Sequence, residues 1–259
     1  MHRRQFFMRL ATSLATGLAV TGSWSVAACA AARLAGDRPK STRIAVIIDD
    51  IGFSRTRAHR FLSLEIPLTF SILPHVTHTR ELAEALYTAG HEIMLHQPME
   101  PVDKRANPGP GALYTAYPRQ AIVAEIERNI DAVPHVTGVN NHMGSKFTTD
   151  PAKMEQALGV VKSRALFFVD SLTTPRSAGF ATASRIGIAA VRRNIFLDNC
   201  LTTQSILLQL ARLQRRALQT GKAVAIGHPY PEMVAALRIF DQKLKKDGVQ
   251  FVPISNLLR

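Results

Sequence analysis

Cysteine is almost missing from this chain, with only Cys29 and Cys200 in 259 residues. A disulfide-stapled scaffold is thereby excluded, because such folds need an even set of paired thiols. Aromatic residues are also sparse, at 7% with a single Trp, and they do not alternate with the cations. That removes the stacking platform on which single-strand nucleic-acid binders rely. Acidic residues are scarce as well: 19 Asp and Glu against 32 Lys and Arg leave a formal charge of +13. Taken alone, the imbalance points to a polyanionic partner. The cations, however, are scattered or in short pairs such as Arg192-Arg193 and Arg215-Arg216, which reads as a solvated surface, and no nucleic-acid partner is expected. Missing too are G-x-G-x-x-G, G-x-x-x-x-G-K-[ST] and G-x-S-x-G. Their absence leaves no sign of a dinucleotide site, a P-loop or a serine nucleophile on a strand-to-helix elbow.

What is present divides into an address and a domain. Residues 1–36 hold no Asp or Glu, open with Arg3, Arg4 and Arg9, run almost without polarity from 10 to 20, and reach small residues at 26–32. A positive start, a short apolar stretch and a small-residue exit form a secretory signal, and the stretch is shorter than the roughly 20 apolar residues of a membrane span. Residues 1–36 are therefore expected to be a cleaved export signal leading to the periplasm or cell envelope. Arg3-Arg4-Gln5-Phe6-Phe7 resembles a twin-arginine signal, and Val26-Ala27-Ala28-Cys29 resembles a lipobox. In the second case acylated Cys29 would tether the protein to a membrane; the plain alternative is a general signal with an incidental Cys. Cleavage would leave 28 basic and 19 acidic side chains, a charge of +9.

Beyond a polar linker at 37–42, residues 43–259 alternate short β-branched runs with stretches of helical period. Strands are expected at 43–48, 67–73, 91–95, 137–141, 166–169, 188–191, 223–226 and 251–254. Helices are expected at 55–64, 79–89, 119–132, 151–163, 177–185, 203–220 and 231–246. Seven or eight such units imply a parallel sheet covered by helices, either open and doubly wound or closed as a (β/α) barrel. In a barrel the chemistry gathers at the C-terminal ends of the strands. Polar residues stand at those ends: Asp49-Asp50, His96, Asn140-Asn141-His142, Asp170-Ser171, Asp198-Asn199 and His228-Pro229.

Two adjacent carboxylates after an apolar strand raise each other's cost of ionisation, and a divalent cation removes that cost. Neighbouring strand residues face opposite sides, so Asp49 and Asp50 can share a site only where the strand is ending. Catalytic zinc keeps three protein ligands and one open position, and Asp50, His96 and His142 supply a carboxylate and two imidazoles from three strand ends. Asp49 is then the base for a metal-activated water, and His228 the acid for the leaving group. His59, His75, His78, His91 and His135 read as structural or surface residues.

The motifs I-I-D-D-I-G, H-Q-P-M-E-P, N-N-H-M-G-S, F-F-V-D-S and G-H-P, in this order over about residues 42–258, resemble the divergent branch of the polysaccharide deacetylase (NodB-homology) superfamily. The resemblance implies a deformed (β/α) barrel of seven to eight units. It also implies a divalent metal usually taken as zinc, and removal of acetyl groups from a cell-wall or extracellular glycan. It places the base at Asp49, a metal ligand at Asp50, a metal ligand at His96 and the acid at His228. Glu100 stands where better-known members carry a second metal histidine, so the third ligand is expected from His142, with Glu100 the alternative. Asp170 is expected to orient a site histidine or meet substrate, Asp198 is a weaker candidate for the same task, and Asn141 is a possible neighbour of the metal. A non-catalytic, glycan-binding envelope protein that keeps the barrel is the alternative function.

Overall fold

The computed structural model describes residues 42–258. The export signal, Cys29 and all but the last residue of the linker lie outside them. That last residue, Thr42, opens the first strand, so the domain begins one residue inside the expected linker. The strands are β1 (Thr42–Ile51), β2 (Thr69–Ile72), β3 (Glu92–Met99), β4 (Val136–Met143), β5 (Phe167–Asp170), β6 (Ala190–Arg192), β7 (Ile195–Phe196), β8 (Lys222–Gly227) and β9 (Val249–Phe251). The helices are α1 (Arg55–His59), α2 (Thr79–Thr88), α3 (Arg119–Ala132), α4 (Pro151–Ser163), α5 (Gly179–Arg185), α6 (Thr203–Thr220) and α7 (Pro231–Asp247). No helix among the described residues is long and apolar enough to cross a membrane.

All pairings are parallel, in the order β6-β5-β4-β3-β2-β1-β8-β7, with β9 joined to the start of β1. The expected strand at 188–191 is in fact two short ones separated only by Arg193 and Asn194. β6 pairs with β5 and β7 pairs with β8, so one run of chain touches both edges of the sheet. Between them the Arg193 amide donates to the Asp170 carbonyl at 3.0 Å and the Asn194 amide to the Val224 carbonyl at 2.8 Å. That handover curls the sheet into the deformed barrel. An open doubly wound sheet is thereby excluded.

Side-chain parity divides each strand between two cores. Ile44, Val46 and Ile48 pack outward among the helices, while Ala45 and Ile47 join Met94, Phe167, Val169, Val224 and Ile226 inside the barrel. Complete burial of each isoleucine contributes about 1.5–3 kcal/mol. Gly138 is required on the inner face, because a Cβ there would stand 2.2 Å from the Phe167 ring. The expected helix at 55–64 continues past α1 only as a 3-10 turn, Arg60–Ser63. The expected strand at 251–254 is displaced, since β9 precedes it and Ile254–Leu257 form another 3-10 turn that plugs the barrel floor.

His91, immediately before β3, is buried edge-on against Phe70 at 5.0 Å, and its Nδ1 has no hydrogen-bond partner. Burial pushes its pKa below the usual value. The unfolded chain therefore takes up the proton more readily, so the stability associated with neutral His91 is complete above the unfolded pKa near 6.5 and falls as pH drops below it. His91→Leu is expected to reduce the loss of urea stability between pH 7.5 and 5.5; an unchanged pH slope would remove His91 from the account.

Candidate active site

Inner-face parity carries each interior row up to one rim: Asp49 above Ala45 and Ile47, His96 above Met94, Asn140 and His142 above Gly138, and His228 above Val224 and Ile226. Asp50 has the wrong parity for this set. It reaches the rim by a different device from the strand ending expected above, since β1 runs on to Ile51. The β1–β2 register shifts between Ile48 and Ile51, and Asp50 itself adopts φ 57. This bulge turns the Asp50 carboxylate back toward the barrel axis, a left-handed conformation that an Asp tolerates at modest cost.

Asp50 Oδ1 lies 3.2 Å from His96 Nε2 and 3.0 Å from His142 Nδ1, and the two nitrogens are 3.1 Å apart. Among the described residues this is the one group of three or more His, Cys, Asp and Glu side chains close enough to share an ion. A tetrahedral ion with bonds of about 2.0–2.1 Å spaces its ligands about 3.3 Å apart, close to the observed triangle. Asp50 Oδ1 is also buried, and although both imidazole nitrogens face it, neither closes a hydrogen bond to it. One carboxylate and two imidazoles form a donor set suited to zinc, and the residues fit a resident divalent cation.

Asn140 organises this triangle. Its Nδ2 donates to Asp49 Oδ1 at 2.8 Å, which turns its Oδ1 toward His96 Nδ1 at 2.7 Å, and that Oδ1 also accepts from the Ser71 hydroxyl. An oxygen can only accept, so His96 Nδ1 carries a proton and the lone pair of the neutral ring sits on Nε2, inside the triangle. Without a cation the ring binds a second proton readily: burial opposes the charge, but Asp49 and Asp50 outweigh it and raise the His96 pKa. A metal would displace that proton. For Asp50, burial is opposed and overcome by the close approach of the His142 and His96 imidazoles, which holds its carboxyl well below the usual range.

Asp49 is 3% exposed, and its Oδ2 lies 3.6 Å from His96 Nε2, outside the triangle. Its burial raises its pKa against the pull of His96, His228 and Asn140, the direction a proton acceptor needs. His228 Nε2 stands 3.6 Å from Asp50 Oδ2, while its Nδ1 and backbone amide meet Asp198 Oδ2 at 3.1 and 2.7 Å. Burial alone would lower the His228 pKa; Asp198 first, then Asp49 and Asp50, push it up to about 9. The imidazolium is thus held with its free N–H facing the cleft. That cleft, about 480 Å³, is walled by Asp49, His142, Leu172, Arg193, Phe196 and His228.

Three expectations need correction. Glu100 does not join the triangle, because its carboxylate accepts from the Thr115 amide and hydroxyl and pairs with Lys146 at 2.7 Å. It ties the loop after β3 to the loop after β4. Asp170 orients no histidine; it has outer parity and accepts from Ser177, Phe180 and Leu172 around the start of α5. The orienting task belongs to Asp198, the weaker candidate. Asn141, on the opposite face from Asn140 and His142, holds the Met143 carbonyl and the Ser171 amide rather than the ion site. His75 bonds Asn129 and His78 pairs with Glu81, so both stay outside the cluster.

Two site residues went unassigned in the sequence, Asn140 and Arg193. Parity along β4 would have found the first, since it is two residues before His142. No local signal marks Arg193, which comes from the junction of β6 and β7. Its guanidinium donates to the Ser171 and Leu172 carbonyls at 2.7 and 2.9 Å, fixing the left-handed Leu172 at the cleft wall, and its charge acts on Asp49.

Comparison with known proteins bears on the family and the fold. Residues 46–258 match the family model described as divergent polysaccharide deacetylase. The uncharacterized protein YibQ of Escherichia coli is 32% identical over 220 residues, covering 83% of this chain and 67% of its own. Among solved structures, the uncharacterized protein ATU2773 of Agrobacterium tumefaciens superposes with a TM-score of 0.80 at 26% identity, over 86% of this chain and 90% of that one. A mutant of Bacillus anthracis BA3943, described as a CE4 family pseudoenzyme with restored enzymatic activity, shares the fold at a TM-score of 0.54 and 14% identity, over 85% and 69% of the two chains. From the ordered motifs, the barrel and the family match together, the chain belongs to the divergent polysaccharide deacetylases.

Proposed function

We propose that the protein is an exported, metal-dependent hydrolase that removes acetyl groups from a cell-wall or extracellular glycan. The observation that carries this is one rim on which Asp49, the Asp50–His96–His142 triangle and His228 converge from four strands. Zinc held by the triangle would polarise the acetyl carbonyl and make a water acidic near neutral pH. Asp49, fixed by Asn140, takes the proton of the attacking water. The water oxygen forms the new bond to the acetyl carbon, and the bond from that carbon to the sugar nitrogen or oxygen breaks. His228 Nε2 delivers the proton to the departing atom, with Asp198 steadying the resulting imidazole through Nδ1. Acetate and a deacetylated sugar leave. The family match and the fitting donor set support the chemistry, and the composition of residues 1–36 supports export.

The BA3943 comparison keeps a second reading in play, a barrel that binds glycan without turnover. Acetate release from chito-oligosaccharides and peptidoglycan fragments by the zinc-loaded protein separates the two. Release by wild type and its loss in Asp49→Asn is the expected result. Equal inertness of both with retained glycan binding would establish the binding protein instead.

A further inference from the structure

Beside the main cleft lies a second recess of about 120 Å³ that shares His228 and is lined by Asp50, Phe53, Ser54, Arg57 and Tyr230. Its volume holds about four waters at 30 Å³ each, enough for a substituent and too little for a sugar ring. The walls combine a cation with an exposed aromatic ring. The Arg57 guanidinium lies 5.7 Å from the Tyr230 ring centroid, and among the described residues it has no acidic partner. Its neighbour on α1, Arg55, is already paired with Glu81 at 2.6 Å. Phe53 is 63% exposed at the lip, a large apolar surface left in water next to the site. The turn that holds it there depends on Gly52, at φ 135, where a Cβ would stand 2.4 Å from Val76. Asp50, the acid within the recess, is paired with His96, His142 and His228, and forms no ion pair with Arg57.

The geometry points to a specificity subsite: the recess selects glycans bearing an oxyanion, a carboxylate or a phosphate, next to the acetylated sugar. The planar guanidinium fork takes the two oxygens of such a group, and Phe53 covers the apolar face of the sugar that carries it. The inference rests on the glycan reading of the main cleft and adds the charge of the substrate. Arg60, one turn along the chain from Arg57, adds to the positive charge that favours approach of the same anionic polymers.

The test compares three tetrasaccharides by calorimetric titration into zinc-loaded protein in the Asp49→Asn background, which removes the base and permits binding without turnover. The ligands are neutral chitotetraose, a hyaluronan tetrasaccharide with a carboxylate on alternate sugars, and 6-phosphorylated chitotetraose. At least one anionic ligand is expected to bind roughly tenfold tighter than the neutral one, the scale of a hydrogen bond to a charged group. The responding arm identifies the oxyanion. Arg57→Gln is expected to erase the preference and Arg57→Lys to keep part of it, with melting temperatures unchanged because the side chain is exposed. Equal affinities, or a preference that survives Arg57→Gln, overturn the inference. Acetate release by wild type without an anionic preference sinks it alone. An Arg57-dependent preference in a protein that releases no acetate from any substrate sinks the deacetylase reading and leaves the subsite standing.

Discussion

His142→Ala is expected to abolish stoichiometric zinc binding. The two remaining ligands cannot define a tetrahedral site, and loss of even a supporting residue around a metal costs 10–100-fold in affinity, so loss of a ligand should exceed about 100-fold. The readouts are metal content after dialysis and melting temperature. Zinc at about a thousand times its dissociation constant stabilises a folded site by about 4 kcal/mol, worth roughly 8–16 °C for a domain of this size. Wild type should show that shift and His142→Ala should not. Glu100→Gln serves as the contrast, since Glu100 is engaged with Thr115 and Lys146 and should bind zinc like wild type. If Glu100→Gln lost the metal while His142→Ala kept it, the triangle would be wrongly assigned.

The next largest effect is expected at His228. His228→Ala should lower kcat for acetate release by about 10²–10⁴-fold, the usual contribution of a positioned acid, with zinc content unchanged because the ring is not part of the triangle. Asp198→Asn should lower kcat by a smaller factor, roughly 10–100-fold, and leave KM near wild type. It acts through the orientation and charge of His228, which it meets at 3.1 Å. A His228→Ala enzyme with wild-type kcat would assign the proton to another group. Reduced zinc content in that variant would make His228 a ligand instead.

Much of this site is legible in the amino-acid sequence. A strand-end search works because parallel strands bury both faces and leave their C-terminal ends for polar groups; it located Asp49, Asp50, His96, His142 and His228. What it treated too coarsely was parity. Asn140 and Asn141 differ only in which face of β4 they occupy, and that difference makes one the organiser of base and ligand and the other a loop tie. The same alternation sends Asp170 outward to α5, whereas Asp198, two residues past inward-facing Phe196, meets His228. Glu100, the alternative ligand that the family resemblance suggested, lies beyond β3, where Lys146 and Thr115 hold it.

The sequence by itself determined the alternation of strands and helices, the family, which five charged or imidazole side chains stand at strand ends, and the acid-free, apolar composition of residues 1–36. These are local properties of period, composition and motif order. Tertiary structure alone decided how Asp50 joins Asp49 on one side of the strand, because a bulge is a relation between two strands rather than a property of one. It also decided barrel closure through the 190–196 run, the arrival of Arg193 at the cleft wall, and the engagement of Glu100 with Thr115 and Lys146 away from the triangle. Each brings together atoms far apart along the chain, and no spacing within a single strand encodes that approach.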